Sequence, residues 1–201
     1  GIGNEGDGIY IHSGVIGNFL TISDNDICFN GGKGINESMN FEVSEIQGNL
    51  IAKNQGDGIY LTGANGLVGG LTSEDRNIIG GNGGNGIYLD GVISTAIINN
   101  YIGLRWDGAY DFGNSLHGLL VENGSHDNVI GGSSEGEGNL IAYNDGYGIR
   151  LEGSTTHDNE VYGNIIGAPI NWGWQAGNGK HGIGLYDGVH HNTIGSITPG
   201  G

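Results

Sequence analysis

One phrase recurs along this 201-residue chain: a glycine followed by two apolar residues that flank a position of variable character. It reads Gly8-Ile9-Tyr10-Ile11, Gly58-Ile59-Tyr60-Leu61, Gly86-Ile87-Tyr88-Leu89, Gly118-Leu119-Leu120-Val121, Gly148-Ile149-Arg150-Leu151 and Gly182-Ile183-Gly184-Leu185, with Gly34-Ile35 as a degenerate seventh copy. Neighbouring copies lie 24 to 34 residues apart. Residues two apart on a strand point the same way, so the Ile and Leu positions share one face while Tyr10, Tyr60, Tyr88 and Arg150 take the other. Between the copies stand Asn77-Ile78-Ile79-Gly80, Asn128-Val129-Ile130-Gly131 and Asn139-Leu140-Ile141-Ala142, which read as further strands. A unit of this length buries its apolar face only against the next copy.

The repeat predicts an all-β chain, a right-handed parallel β-helix of about seven coils that forms a single domain over residues 1–201. Forty-five glycines against two prolines, without collagen's period, agree with a turn-rich solenoid. Glycine and asparagine tolerate left-handed backbone at tight corners, and asparagines can stack as ladders between coils. Cys28, the single cysteine, has no partner for an internal disulfide, and no ligand spacing points to structural zinc. No apolar stretch approaches the roughly 18 residues of a membrane span, and the start does not read as a signal peptide. Both ends stop inside a repeat, where solenoids normally carry a cap. The expectation is a module excised from a larger secreted or cell-surface protein.

Twenty-two acidic residues against six basic ones give a net charge of −16. That field repels phosphate backbones, anionic membranes and polyuronates, so nucleic acid and membrane are excluded as expected partners. Insertions in a solenoid become loops on one side, where function concentrates. Segments 103–118 and 167–182 are equal in length and share Gly-Asn and His-Gly at matching places, whereas the coil between them is connected only by Ala142 to Gly148. The expectation is a short floor between two raised walls about 10 Å apart at their bases, twice the interstrand spacing. Trp106, Tyr110 and Phe112 lie on one wall, Trp172 and Trp174 on the other, and Tyr143 and Tyr147 on the floor. Such rings suit the C–H faces of pyranoses; the plainer reading is that they pack the loops onto the helix.

Beside this groove the phrase places a column of outward carboxylates, Asp90, Glu122 and Glu152, with Arg150 next to Glu152. Carboxylates about 5 Å apart serve as acid and nucleophile of a retaining glycosidase, share a calcium ion, hydrogen-bond sugar hydroxyls, or simply form a solvated acidic ladder. Asp7, Asp57 and Asn85 recur at the turn before the strand, and Asp24-Asn25-Asp26 cluster locally. Their hard oxygens admit calcium, but the tandem nonapeptide of calcium-binding β-rolls is absent. No cofactor is required, and no metal ligand is assigned. His117 and His181 precede equivalent phrases, which favours a repeated structural role over that of a unique general base.

Lys33, Lys53, Arg76, Arg105, Arg150 and Lys180 are scattered, leaving neither the clustered base of a uronate lyase nor the aspartate, histidine and arginine set of a polygalacturonase. The G-I-Y-L-like and N-x-I-I-G phrases resemble generic parallel β-helix repeats. The short acidic solenoid with Trp106, Trp172 and Trp174 on neighbouring loops is similar to the β-helical carbohydrate-binding modules attached to bacterial xylanases of gut communities. That resemblance implies a non-catalytic module that binds xylan, a neutral plant cell-wall polysaccharide, and brings an attached catalytic domain to it. Two other readings stay open: a β-helix hydrolase or lyase using Glu122 and Glu152, and a structural or adhesive surface solenoid.

Overall fold

The computed structural model describes residues 3–12, 20–37, 45–63, 65–170 and 176–195. Within them the chain winds through twenty short strands that assemble into three parallel sheets. Each turn of the solenoid contributes one strand to each sheet in order. Sheet one stacks β1 (Ile9–Ile11), β4 (Ile35–Glu37), β7 (Ile59–Leu61), β10 (Ile87–Asp90), β13 (Leu119–Glu122), β16 (Ile149–Glu152) and β19 (Ile183–Tyr186). Sheet two has seven strands and sheet three six. The structure is a parallel β-helix, and its seven strands in sheet one match the seven phrases in the sequence.

In-register pairing makes each phrase position a column. Ile35, Ile59, Ile87, Leu119 and Ile149 stack inward and are fully buried. Ile46, Val68, Ile97, Ile130 and Val161 do the same from sheet two, and Ile51, Ile79, Ile102 and Ile141 from sheet three. Burying such a side chain contributes roughly 1.5–3 kcal/mol, and identical neighbours above and below leave few gaps. One exception stands in the second inward column, where Glu37 pairs with Ile11. Its buried carboxylate accepts the backbone N–H groups of Thr62 (2.8 Å) and Gly63 (2.7 Å), the compensation a buried charge requires.

The corners explain the asparagines. Turning from one sheet to the next points backbone N–H groups away from the regular ladder, and inside a solenoid they meet no water. Asn4, Asn30, Asn54, Asn82, Asn114, Asn144 and Asn178 form one continuous amide ladder between sheets three and one, linked at 2.8–3.0 Å. Asn25, Asn49, Asn77, Asn100, Asn139 and Asn164 form a second between sheets two and three. Asn128, Asn159 and Asn192 line the third corner. Most of these Oδ1 atoms also accept the backbone N–H of the asparagine one coil earlier, as Asn82 does for Asn54 at 3.1 Å.

The residue before the ladder asparagine carries the left-handed turn, and it need not be glycine: Phe29, Lys53 and Tyr143 hold φ near +60° at the position where another coil uses Gly81. The glycine that opens each phrase has a different task from the corner flexibility expected of it. A Cβ on Gly86 would lie 2.6 Å from the carbonyl oxygen of Gly118 and 2.7 Å from Ile102 Cγ2. Equivalent contacts recur at Gly34, Gly58, Gly118 and Gly148. Close approach between coils, not unusual φ, fixes glycine there.

Replacing Asn82 by alanine strands the N–H groups of Asn54 in the interior and removes one donor from the carbonyl of Ile51. Each stranded group costs about 1–3 kcal/mol. Urea unfolding of Asn82→Ala is therefore expected to show a midpoint lowered by at least about 2 kcal/mol of stability with an unchanged slope; a loss within about 0.5 kcal/mol would contradict the role given to the ladder.

Candidate functional site

The residues that the sequence places in one groove and in the column beside it separate onto two faces. Trp106, Tyr110, Phe112 and Tyr143 lie over the outside of sheet three, while Glu122, Tyr147, Arg150 and Glu152 lie on the outside of sheet one. Trp172 and Trp174 fall outside the described residues.

On the first of these faces the expected open groove is filled. The outward side chains of sheet three are themselves apolar: Ile78, Tyr101, Leu140 and Ile165 join Leu104, Ala142 and Ala176 in a second core. The 103–112 segment folds down onto them, so that Ala109 O accepts the Tyr143 hydroxyl at 3.3 Å and Gly108 O accepts the Ile170 N–H at 3.1 Å. The two insertions meet across the short coil instead of standing as separate walls, because raised walls would leave this apolar surface in water. Phe112 packs over Gly80 and Gly81. Trp106 and Tyr110 stay 78% and 63% exposed, and Trp106 edges a recess of about 250 Å³ with Leu50, Ile78, Arg105, Phe112 and Lys53.

The face of sheet one carries polar chemistry in coil register. Tyr60 and Tyr88 are cross-strand neighbours with rings 5.1 Å apart and nearly perpendicular. Each phenol donates to the carboxylate one coil further on: Tyr60 to Asp90 at 2.5 Å, and Tyr88 to Glu122. Burial first, and the carboxylates second, push both phenols well above their usual range, so they remain donors. Asn123 adds a second donor to Asp90 at 2.9 Å. Further along, Arg150 bridges to Glu152 at 2.8 Å and lies 4.8 Å over the Tyr186 ring, whose hydroxyl meets that of Tyr147 at 2.8 Å. Arg150 Nε is buried without a protein acceptor among the described residues. Tyr147 is only 8% exposed and belongs to this cluster, not to a floor under the tryptophans.

The turn before sheet one has its own ladder. Asp7 accepts the N–H of Lys33, Asp57 that of Asn85, Asn85 that of His117, and His117 Nδ1 that of Tyr147. These acidic positions, weighed for calcium from the sequence, thus have oxygens directed at backbone donors of the next coil. Among the described residues no three His, Cys, Asp or Glu side chains converge as a metal site.

His117 must keep Nδ1 unprotonated to accept from Tyr147. Burial, with Arg150 and Lys180 adding to it, pushes its pKa from 6.5 down to about 4. Its repeated place in the ladder is structural.

A feature not anticipated lies at the corner between sheets one and two. Ser125-His126-Asp127-Asn128 and Thr156-His157-Asp158-Asn159 recur one coil apart, with His190-His191-Asn192 following. The imidazoles of His126, His157 and His190 stack in parallel at 4.8 and 5.2 Å. Asp127 and Asp158 each hold Nδ1 of the preceding histidine at 2.7 Å. The repeated His-Asp-Asn triplet was the signal in the sequence.

Because the folded chain refuses a proton on His117 that the unfolded chain accepts between pH 6.5 and about 4, its contribution is complete above pH 6.5 and is lost as pH falls toward 4. Thermal unfolding of wild type should show Tm decreasing across that window. His117→Gln keeps an acceptor without titrating, so its Tm should fall less steeply; parallel curves would remove His117 from the account.

Residues 38–197 match the family described as right handed beta helix region. No curated protein and no solved structure matches the chain. The inward Ile columns, the three amide ladders and this match over most of the length agree, and the chain belongs to the right-handed β-helix family.

Proposed function

We propose that this chain is a non-catalytic carbohydrate-binding module that holds a neutral plant cell-wall polysaccharide, xylan first, along the outer face of sheet one and brings an attached glycoside hydrolase to it. The observation that supports this reading is the coil-by-coil repetition of aromatic and hydrogen-bonding groups: Tyr60 with Asp90, Tyr88 with Glu122, Arg150 with Glu152, and Tyr147 with Tyr186. Coils rise about 4.8 Å apiece, a step comparable to one pyranose of an extended glycan, so a polymer lying along the stack meets the same chemistry at successive units. The half-buried rings of Tyr60, Tyr88 and Tyr186 offer apolar surface to sugar C–H groups, with the buried Tyr147 positioning Tyr186, and fixed carboxylates accept from hydroxyls. The same carboxylates, in a chain of net charge −16, disfavour polyuronates. Calcium and other cofactors have no part in this reading.

A catalytic alternative rests on Glu122 and Glu152, which follow one another in the register of β13 and β16 at a separation suited to a retaining pair. Against it, each already has a fixed partner, the Tyr88 hydroxyl and the Arg150 guanidinium.

Affinity electrophoresis on xylan, mixed-linkage glucan, mannan and polygalacturonate, with reducing ends assayed in the same samples, separates these readings. The expected result is retardation by xylan, none by polygalacturonate and no released sugar. Tyr88→Ala is expected to weaken retention about tenfold, the loss of roughly 1.4 kcal/mol, and Trp106→Ala, on the other face, less than threefold. Reducing ends that disappear in Glu122→Gln or Glu152→Gln would establish the enzyme. Absence of both retention and release would leave a structural solenoid.

A further inference from the structure

The corner between sheets two and three is normally turned by two or three residues, as at 24–25, 48–49, 98–100 and 163–164. It is lengthened twice, at 69–77 and 132–139. Each long loop is closed on itself by a carboxylate: Asp75 accepts the Thr72 N–H and hydroxyl at 2.9 Å, and Glu137 accepts the Ser134 N–H at 2.8 Å. The short coil between them is a rivet. Asn99, buried and at φ +55°, donates to Gly70 O and Thr72 O, while its own N–H reaches Glu137 O. Its Oδ1 accepts both Nε and Nη2 of Arg76, at 3.1 and 2.8 Å.

Arg76 is thereby fixed flat, with its guanidinium carbon 4.2 Å over the Tyr101 ring. In a chain of net charge −16 it has no carboxylate partner among the described residues, and its remaining N–H groups have no protein acceptor there. It borders a recess of about 380 Å³ whose apolar lining is Tyr101, Leu140, Ile165 and Ile170. Glu135 and Tyr162 stand on its polar rim with Ser133 and Ser134. Burial, and then Glu160 and Glu137, hold the Tyr162 phenol above its usual range, so it stays a neutral hydroxyl.

A fixed cation and a carboxylate thus share one small recess without pairing with each other. An anion placed there gains Arg76 and faces Glu135; a cation meets the reverse. A neutral polyol satisfies both, since each hydroxyl donates and accepts, and the aliphatic lining of Ile165 and Ile170 accepts the C–H face of a sugar. The volume lies at the small end of ligand pockets, about the room for one or two pyranose rings.

We infer that this recess is a second binding site, for a short neutral oligosaccharide or the end of one, on a different face from the polymer site proposed above and independent of it. Arg76 and Glu135 fix the orientation of the sugar, and the more exposed Ile165 and Ile170 supply the platform.

Calorimetric titration of the whole chain with xylobiose, cellobiose and mannobiose at millimolar concentration tests the inference, with glucuronate as the charged control. At least one disaccharide should bind with a millimolar or tighter Kd, and glucuronate should not bind more tightly than it. Arg76→Met is expected to weaken that binding about tenfold, the loss of a charge-assisted hydrogen bond. Glu135→Gln and Tyr162→Phe, both on the rim, should each weaken it about threefold or more, and they carry the test if loss of the Asn99 contact unfolds Arg76→Met. No disaccharide binding by folded wild type, preference for glucuronate, or indifference to the rim variants would each overturn the site. Disaccharide binding without retention by xylan would leave this recess standing and remove the polymer-binding reading; retention without disaccharide binding would do the opposite.

Discussion

Every coil of this molecule depends on how its corners dispose of backbone N–H groups. Along the strands, parallel pairing satisfies them automatically. At three corners per coil it cannot, and there is no water inside to substitute. The amide of asparagine is the side chain that accepts from one coil while donating to another, at the length needed to span a single coil rise. Asn100 shows the full pattern: Oδ1 accepts from Asn77, while Nδ2 donates to Val68 O, Ile98 O and Asn139 Oδ1. The ladders therefore fix register as well as energy, since a slip of one residue would take every asparagine off its ladder and turn every inward isoleucine out.

With register fixed by corners and core, outward positions are free to vary, and their chemistry differs by sheet. Sheet one turns out phenols, carboxylates and a guanidinium; sheet three turns out apolar side chains. The second pattern forces the chain to spend its insertions as a cover, which is why 103–112 lies down over Tyr101 and Leu140. The first, being polar, needs no such cover.

How much of this could be read beforehand follows from the same division. The coil count, the inward columns and the asparagine ladders repeat, and repetition is visible in a sequence. The fate of the insertions was not, although its cause was: Leu140 in Asn139-Leu140-Ile141-Ala142 is apolar at an outward position, and an apolar outward residue asks for something to lie over it. Tyr60 to Asp90 and Tyr88 to Glu122 were also hidden. All four residues were assigned outward, but their pairing joins one coil to the next with a two-residue offset, which emerges only when strands of unequal loop length are set in register. Tyr143 and Tyr147 share the short connection from Ala142 to Gly148, which is why the sequence puts both on one floor, yet a corner intervenes and sends them to different faces.

The sparse cations show the consequence of a strongly acidic surface. Among the described residues only Arg150 pairs with a carboxylate, whereas Lys33, Lys53, Arg76, Arg150 and Lys180 all sit over aromatic rings at 4.0–5.4 Å. An exposed ion pair is worth at most about 1 kcal/mol, and a cation over a ring at an exposed site a similar amount, so stability alone does not choose between them. Binding does. A guanidinium committed to a carboxylate uses its donors within the protein, while one held over a ring keeps donors in its plane for something else. Arg76 is the clearest case, clamped by Asn99 from one side and Tyr101 from beneath, and that arrangement leaves a rigid, unpaired donor group at the edge of an apolar recess.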